Sequence, residues 1–208
     1  REIQKNGQQR YDELLNVINK IRKNVNKCKY ISIPCEELKN QNNVFDVDVT
    51  KLIINVNNSG ITGKQLGDIL RYKYNIEVEM DSLKYVLGIT TICDDYKELE
   101  RLAEALKEID KSLEEKQNEN ISVELLKNKR MYSIYETDLK EKNTVNLFDS
   151  KDCISGEFVF LYPPGIPLVV PGEVITEELL EQIKVYLEAN MNISGLKDNS
   201  NKTIEVVK

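Results

Sequence analysis

The sequence predicts an α+β protein built of two units. Three observations carry this reading. Apolar residues recur at helical spacing in three segments of the first half, with short apolar runs of strand length between them. Residues 114–120, Glu-Glu-Lys-Gln-Asn-Glu-Asn, are polar and aperiodic, the composition of a linker. Residues 162–173 read Tyr-Pro-Pro-Gly-Ile-Pro-Leu-Val-Val-Pro-Gly-Glu. Proline fixes φ and removes a backbone donor, so neither a helix nor a central strand can run through that stretch.

The first unit covers residues 1–116. Tyr11, Leu14, Leu15, Ile18, Ile21 and Val25 fall on one face of a helix over 8–28. Pro34 and the Asn-rich run 40–43 break the chain. Residues 51–56, Lys-Leu-Ile-Ile-Asn-Val, read as a buried strand. Gly60-Ile-Thr-Gly63 is a turn, with Thr62 placed to cap a helix that runs to 74 on Leu66, Ile69 and Leu70. Residues 76–80 alternate as a strand and 85–91 as another. Asp94 or Asp95 then caps a long helix to 114, whose stripe is Tyr96, Leu99, Leu102, Ala103, Leu106 and Ile109. The order is helix, strand, helix, strand, strand, helix: a small sheet covered by helices.

The second unit covers residues 121–208. Residues 122–128 read as a short helix, and 131–138 and 158–161 as strands around a polar stretch. Thr176 caps a final helix to 189, with Glu177 and Glu178 complementing the macrodipole in its first turn. Gly195 ends the excursion, and 203–207 reads as a last strand. The proline-rich segment holds four of the five prolines yet is apolar through Ile166, Leu168, Val169 and Val170. Its composition alone reads as a rigid, buried cross-over between two strands.

Composition narrows the function classes. The 208 residues suffice for two modest cores, and no apolar run approaches membrane-spanning length. A formal net charge of −6 disfavours nucleic acid and anionic membranes as partners. Cys28, Cys35, Cys93 and Cys153 show neither CxxC nor metal-ligand spacing, which fits reduced thiols in a cytoplasmic protein and predicts no metal site. Histidine is absent, so Ser-His-Asp and Cys-His nucleophile arrangements cannot be assembled within the chain. Gly60–Lys64, Gly-Ile-Thr-Gly-Lys, lacks the spacing of a phosphate loop, and nothing near Lys84 points to the desolvation that would activate it as a Schiff-base lysine.

The segment Tyr-Pro-Pro-Gly-Ile-Pro-Leu-Val-Val-Pro-Gly-Glu resembles the C-terminal domain of the bacterial ornithine/lysine/arginine decarboxylases, which are pyridoxal-phosphate (PLP) enzymes. Residues 48–95 resemble the small domain of the same enzymes, and the ending Ile-Ser-Gly-Leu-Lys-Asp-Asn-Ser-Asn-Lys-Thr-Ile-Glu-Val-Val-Lys their shorter members. The likeness runs from about Gly7 to Lys208. It implies an aspartate-aminotransferase-like small domain at 1–116, followed by a smaller α+β C-terminal domain at 121–208. The family's PLP lysine lies in a Ser-x-His-Lys motif of the large domain, which a chain without histidine cannot hold. The resemblance therefore implies that the PLP-binding large domain is absent here and lies upstream. The opening at Arg1, without an initiator Met or signal sequence, fits a C-terminal fragment that neither binds PLP nor catalyses by itself.

The resemblance also implies roles for particular residues. Glu79 sits where these decarboxylases carry a Glu that contacts the distal cationic group of the substrate, arginine first, then lysine or ornithine. A carboxylate suits a guanidinium by bidentate geometry and an ammonium by charge. From spacing alone, Glu77 and Glu79 share one strand face and read equally as a solvated edge. Tyr162, Pro163, Pro164, Gly165 and Glu173 are implied to lie at the active-site entrance or a subunit contact. Their plain alternative is a structural knot, with Glu173 capping either its Pro-Gly turn or the Thr176 helix. The parent enzyme is expected to be at least a dimer. The competing expectation is a non-catalytic interaction or regulatory module that kept the fold. An aminotransferase reading fares worse, because Arg71 and Arg101 fall on helices rather than at a strand end facing a pocket.

Overall fold

The computed structural model describes residues 2–56, 58–115 and 126–208. The chain divides into two compact units, Arg1–Asn120 and Ile121–Lys208.

The first unit is a four-stranded sheet with three helices. Helix α1 (Glu2–Val25) leads to β1 (Ile31–Ser32) and a 3-10 turn at Glu36–Leu38. Then follow β2 (Lys51–Val56), α2 (Gly63–Tyr74), β3 (Met80–Asp81), β4 (Tyr85–Ile89) and α3 (Tyr96–Ser112). The strands are all antiparallel in the order β1-β2-β4-β3. Leu14, Ile18, Ile21 and Val25 of α1 meet Leu52, Ile54 and Val56 of β2, Leu66 and Leu70 of α2, and Leu99, Leu102 and Leu106 of α3 in one core cluster. The helical stripes and the alternate residues of β2 thus bury the same interface, as their periods require.

Two polar clamps tie these elements together. The Asp110 carboxylate, in the last turns of α3, accepts from the backbone N–H groups of Lys29 (3.0 Å), Tyr30 (2.8 Å) and Ile31 (3.0 Å). An acid near a helix C-terminus opposes the macrodipole, so this position answers to the clamp rather than to the helix. Buried Arg22 donates from Nη2 to the carbonyls of Val49 (2.9 Å) and Lys51 (3.1 Å), seating the start of β2 on α1.

Helix starts follow local rules. Thr62 and Gln65 form a capping box on α2, and Asp95 rather than Asp94 caps α3 by accepting from the Lys97 N–H. Asp94 instead accepts from the Thr91 N–H at 2.7 Å, closing the preceding turn. The strand expected over 76–80 shrinks to Met80–Asp81, because only these residues pair with β4.

The second unit contains α4 (Ile134–Asp138), β5 (Lys142–Asn146), a 3-10 turn at Leu147–Asp149, β6 (Val159–Leu161), β7 (Ile166–Val169), α5 (Glu177–Glu188), β8 (Ile193–Ser194) and β9 (Thr203–Val207). β5 and β9 form one antiparallel ladder, and β7-β6-β8 a second sheet. Two expectations are corrected here. Residues 131–138 are not a strand: Ser133 and Glu136 form a capping box that starts α4, a Ser-x-x-Glu signature that outweighs the apolar run. The helix expected over 122–128 lies largely outside the described residues, and its described remainder, 126–128, is not helical.

Gly172 admits no side chain. Its φ is +94°, and a Cβ there would lie 2.3 Å from the Tyr132 carbonyl oxygen. That carbonyl can come so close because the Met131 and Tyr132 N–H groups both donate to the Gly172 carbonyl, at 2.8 and 3.2 Å. The buried Glu157 carboxylate accepts from the Lys197 N–H (2.9 Å) and the Glu205 N–H (2.8 Å), joining the approach to β6 with β9.

Two outcomes are expected. Asp110→Ala leaves three backbone donors without their acceptor and lowers unfolding free energy by roughly 2–4 kcal/mol, read from the urea midpoint. The second concerns Asp198. Hydrogen bonds from the Ser200 hydroxyl and N–H, then from Lys202 and Thr203, hold its carboxyl well below its ordinary value of 3.8. Its stabilisation is full above that ordinary value and is lost as pH falls through the lower folded one. Asp198→Ala should therefore melt below wild type at neutral pH, with the gap closing only below about pH 4.

Candidate functional site

The acidic residues at the sheet edge of the first unit differ in their partners. Glu77 is paired with Arg71 of α2 through both guanidinium arms, with Nε to Oε2 at 2.9 Å. That pairing draws the Glu77 carboxyl below its ordinary value. Asp81 lies 3.8 Å from Lys64 of α2, which also binds Asp68 at 2.5 Å. Burial pushes the Asp81 carboxyl up, with Lys64 acting against it. Glu79, between them in sequence, is exposed, and among the described residues its carboxylate has neither ion pair nor hydrogen bond. Its backbone is nonetheless fixed, with the Glu79 N–H donating to the Leu87 carbonyl at 2.8 Å. Of three acids at alternate positions, α2 neutralises two and leaves the middle one available to a cation. The sequence singled out Glu79 but carried no sign of the Arg71 and Lys64 pairings, which need α2 folded back on the edge.

The other candidates belong to the second unit. Tyr162, Pro163, Pro164 and Gly165 form the tip of the β6–β7 hairpin, with cis peptide bonds at Tyr162-Pro163 and Pro163-Pro164. The Gly165 N–H donates to the Leu161 carbonyl at 2.9 Å, closing the turn. Tyr162 is 55 % exposed and Ile166 41 %. The buried cross-over expected from composition is thus an exposed apolar hairpin tip; burial begins only at its far end, with Val169, Pro171 and Gly172. β7 is an edge strand, which lets Pro167 sit opposite Phe160 without costing the sheet an interior bond. Glu173 lies at that far end, away from the tip. Its carboxylate accepts from the Val170 N–H at 3.1 Å and from Asn128 Nδ2 at 3.3 Å. It therefore caps the Pro-Gly turn, and Thr176 itself caps α5.

Other chemistry-bearing groups are committed elsewhere. Glu157 lines an open depression of about 680 Å³ with Ile134, Tyr135 and Phe158, but each of its oxygens already accepts a backbone N–H. It reads as a clamp, and no sequence signal marked it. The turn at Gly60–Lys64 makes no phosphate cradle. The Gly63 N–H donates to Leu83 at 2.9 Å, and a Cβ on Gly63 would lie 2.3 Å from the Tyr85 carbonyl oxygen, so β4 occupies the place of a ligand. Lys84 is exposed. Neither the Gly60–Lys64 turn nor Lys84 thus offers a seat for PLP. Among them no group of three or more Cys, Asp or Glu side chains is placed to hold a metal, and no helix is long and apolar enough to cross a membrane.

Residues 114–199 match the model of the Orn/Lys/Arg decarboxylase C-terminal domain. Those residues carry the C-terminal domain of the Orn/Lys/Arg decarboxylases. It is similar to the arginine decarboxylase of Bacillus subtilis, 35% identical over 97% of this chain and 42% of that protein. The arginine decarboxylase of Bacillus anthracis is 29% identical over the same shares. The chain thus spans 42% of the length of these relatives. The lysine decarboxylase of Francisella novicida has the same fold over 97% of this chain and 40% of its own, with a TM-score of 0.73 at 17% identity. The constitutive lysine decarboxylase of E. coli gives 0.72 at 15%. The mixed helix and sheet architecture is therefore that of a region within the decarboxylases.

Because Glu79 is exposed and without a partner among the described residues, Glu79→Gln should leave the thermal midpoint unchanged within experimental spread, an effect of under about 0.5 kcal/mol.

Proposed function

We propose that this chain is the small domain and C-terminal domain of a PLP-dependent decarboxylase of basic amino acids, with arginine the first candidate substrate and lysine and ornithine next. The observation that carries the proposal is the similarity to arginine decarboxylase over 97% of the chain, together with the family match at 114–199. In this reading PLP is bound by upstream polypeptide and supplies the electron sink for loss of CO2. The residues of this chain recognise substrate and shape the approach to it.

Glu79 is the proposed contact to the distal cationic group. Support comes from its exposed carboxylate, unpaired among the described residues, on an anchored backbone between two acids that α2 already neutralises. A guanidinium gains two parallel charge-assisted hydrogen bonds from such a group, an ammonium one. The hairpin tip of Tyr162, Pro163, Pro164 and Gly165 is proposed to form the active-site entrance or a subunit contact. Its exposed apolar surface on a short, closed turn supports that role. Glu173 contributes only by holding the base of the segment. The parent enzyme is proposed to act in the cytoplasm as at least a dimer.

The test begins with the size of the native polypeptide, by immunoblot with an antibody to this chain. A band of more than twice 24.0 kDa is expected. CO2 release from arginine, lysine and ornithine is then measured on that polypeptide. Removing one charge-assisted contact costs about 1.5–3 kcal/mol, so Glu79→Gln should lower kcat/KM for the preferred substrate by about ten- to a hundredfold. Unchanged kcat/KM removes Glu79 from recognition. A band at 24.0 kDa without decarboxylation leaves a non-catalytic module instead.

A further inference from the structure

Between α2 and β3 the chain alternates its two sides. Ile76 and Val78 pack against the core cluster, while Glu77 and Glu79 are exposed. The two acids therefore leave the same side of the segment. Residues two apart on an extended backbone lie roughly 6–7 Å from each other, so two glutamate side chains at that spacing reach one cation between them. Here only one of them is open. Arg71, in the last turn of α2, donates from Nε to Glu77 Oε2 at 2.9 Å and from Nη2 to Glu77 Oε1, so one planar group holds both oxygens. The Glu79 carboxylate has no partner among the described residues. On its other side Asp81 is mostly buried, with its carboxylate against Gly67 of α2 and 3.8 Å from Lys64. Lys73, the second cation in the last turn of α2, is engaged by Glu108 of α3 at 3.0 Å, so loss of Arg71 would leave Glu77 open.

We infer that Arg71 determines specificity at the proposed cation contact, by withholding Glu77 so that a single carboxylate, Glu79, meets the substrate. The inference rests on the decarboxylase reading above and on Glu79 as its substrate contact. The chemistry of the two cations separates them. A guanidinium is planar and satisfies one carboxylate with two parallel N–H···O bonds, so a second carboxylate adds little to it. An ammonium is a compact charge with three donors in divergent directions, and it gains most where two acceptors flank it. A site with one open carboxylate thus favours arginine, and a site with two shifts toward lysine and ornithine. Arg71 does not touch the substrate in this arrangement. It is a positioning residue that acts through Glu77.

A mutant cycle on the native polypeptide tests the inference, with kcat and KM measured separately for arginine, lysine and ornithine. Arg71→Gln opens Glu77. It should lower the ratio of kcat/KM for arginine to that for lysine by about two- to fivefold, the size of one exposed charge contact, through a lower KM for lysine. Glu77→Gln breaks the same ion pair without opening a carboxylate. The cation it leaves unpaired repels both substrates alike, so the ratio should keep its wild-type value. Added to Arg71→Gln, Glu77→Gln should restore that ratio. A merely structural ion pair would make the two single variants behave alike, and that result overturns the inference, as does an unchanged ratio in Arg71→Gln. Arg71→Lys keeps a cation at the pair but grips one oxygen only, and should give an intermediate ratio. It decides the question should Arg71→Gln fail to fold, and an unchanged ratio there is equally a refutation. Glu79→Gln separates the inference from the reading beneath it. Loss of arginine kcat/KM in Glu79→Gln, with no change of ratio in Arg71→Gln, keeps the substrate contact and removes Arg71 alone. Unchanged activity in Glu79→Gln, or a native polypeptide that decarboxylates none of the three amino acids, removes both.

Discussion

The first unit depends on one carboxylate. Asp110 collects three consecutive backbone donors from the connection between α1 and β1. Without that acceptor, the chain leaving α1 would turn through an apolar environment with unpaired N–H groups, which costs more than the turn gains. With it, the end of α3, the end of α1 and the edge strand β1 are held at one point. The core formed by Leu14, Ile18, Ile21, Leu102 and Leu106 then has a defined depth. Arg22 performs the complementary task from α1, placing a donor where the chain entering β2 offers two carbonyls. Hydrophobic burial drives the helices onto the sheet. These two clamps decide where on the sheet they sit.

The second unit, short in regular strand, is organised by similar means. Its sheets are small, and much of its backbone pairs through isolated contacts such as Ser155 with Val206 and Ile154 with Val174. Glu157 supplies acceptors to Lys197, which lies outside the strands, and to Glu205 of β9. Gly172 allows two backbones to approach more closely than any side chain permits. The proline-rich segment is then held at its base by Glu173 and left exposed at its tip. A rigid, apolar and exposed turn loses little entropy on association, which makes it suited to a contact surface.

The proposed substrate contact follows from what these frameworks leave unsatisfied. Helix α2 carries Arg71 and Lys64 to the sheet edge, and these meet Glu77 and Asp81. Glu79 is left with an anchored backbone and a carboxylate facing water. The three helices, all on one face, leave Ile53, Leu87 and Met80 in a row on the other. Among the described residues, an exposed carboxylate without an ion pair and a partly exposed apolar row are what these frameworks leave. The proposed substrate cation answers the first of them.

Local signals made much of this legible in the sequence. Thr62, Asp95 and Thr176 each cap the helix that follows them, because a side-chain acceptor three residues or fewer before free N–H groups acts without tertiary help. β2 and β9 occupy the segments that the sequence marks as strands. Where two local signals competed, the apolar run at 131–138 hid the Ser133–Glu136 capping box. β1 and β8 are two residues each, too short to show a period, and exist only because β2 and β6 are there to pair with. The motif residues at 162–173 and Glu79 could be named from the sequence. Whether each was free or engaged could not, since that depends on partners distant in the chain: Asn128 for Glu173, and α2 for the neighbours of Glu79. The sequence by itself determined α1, α2, α3 and α5, the caps at Thr62 and Thr176, the strands β2 and β9 and the family likeness, all properties of contiguous residues. Only the tertiary structure decided which carboxylates are clamps and which remains open, and which sheet face is covered. Those depend on burial and on contacts across dozens of residues, which no local pattern encodes.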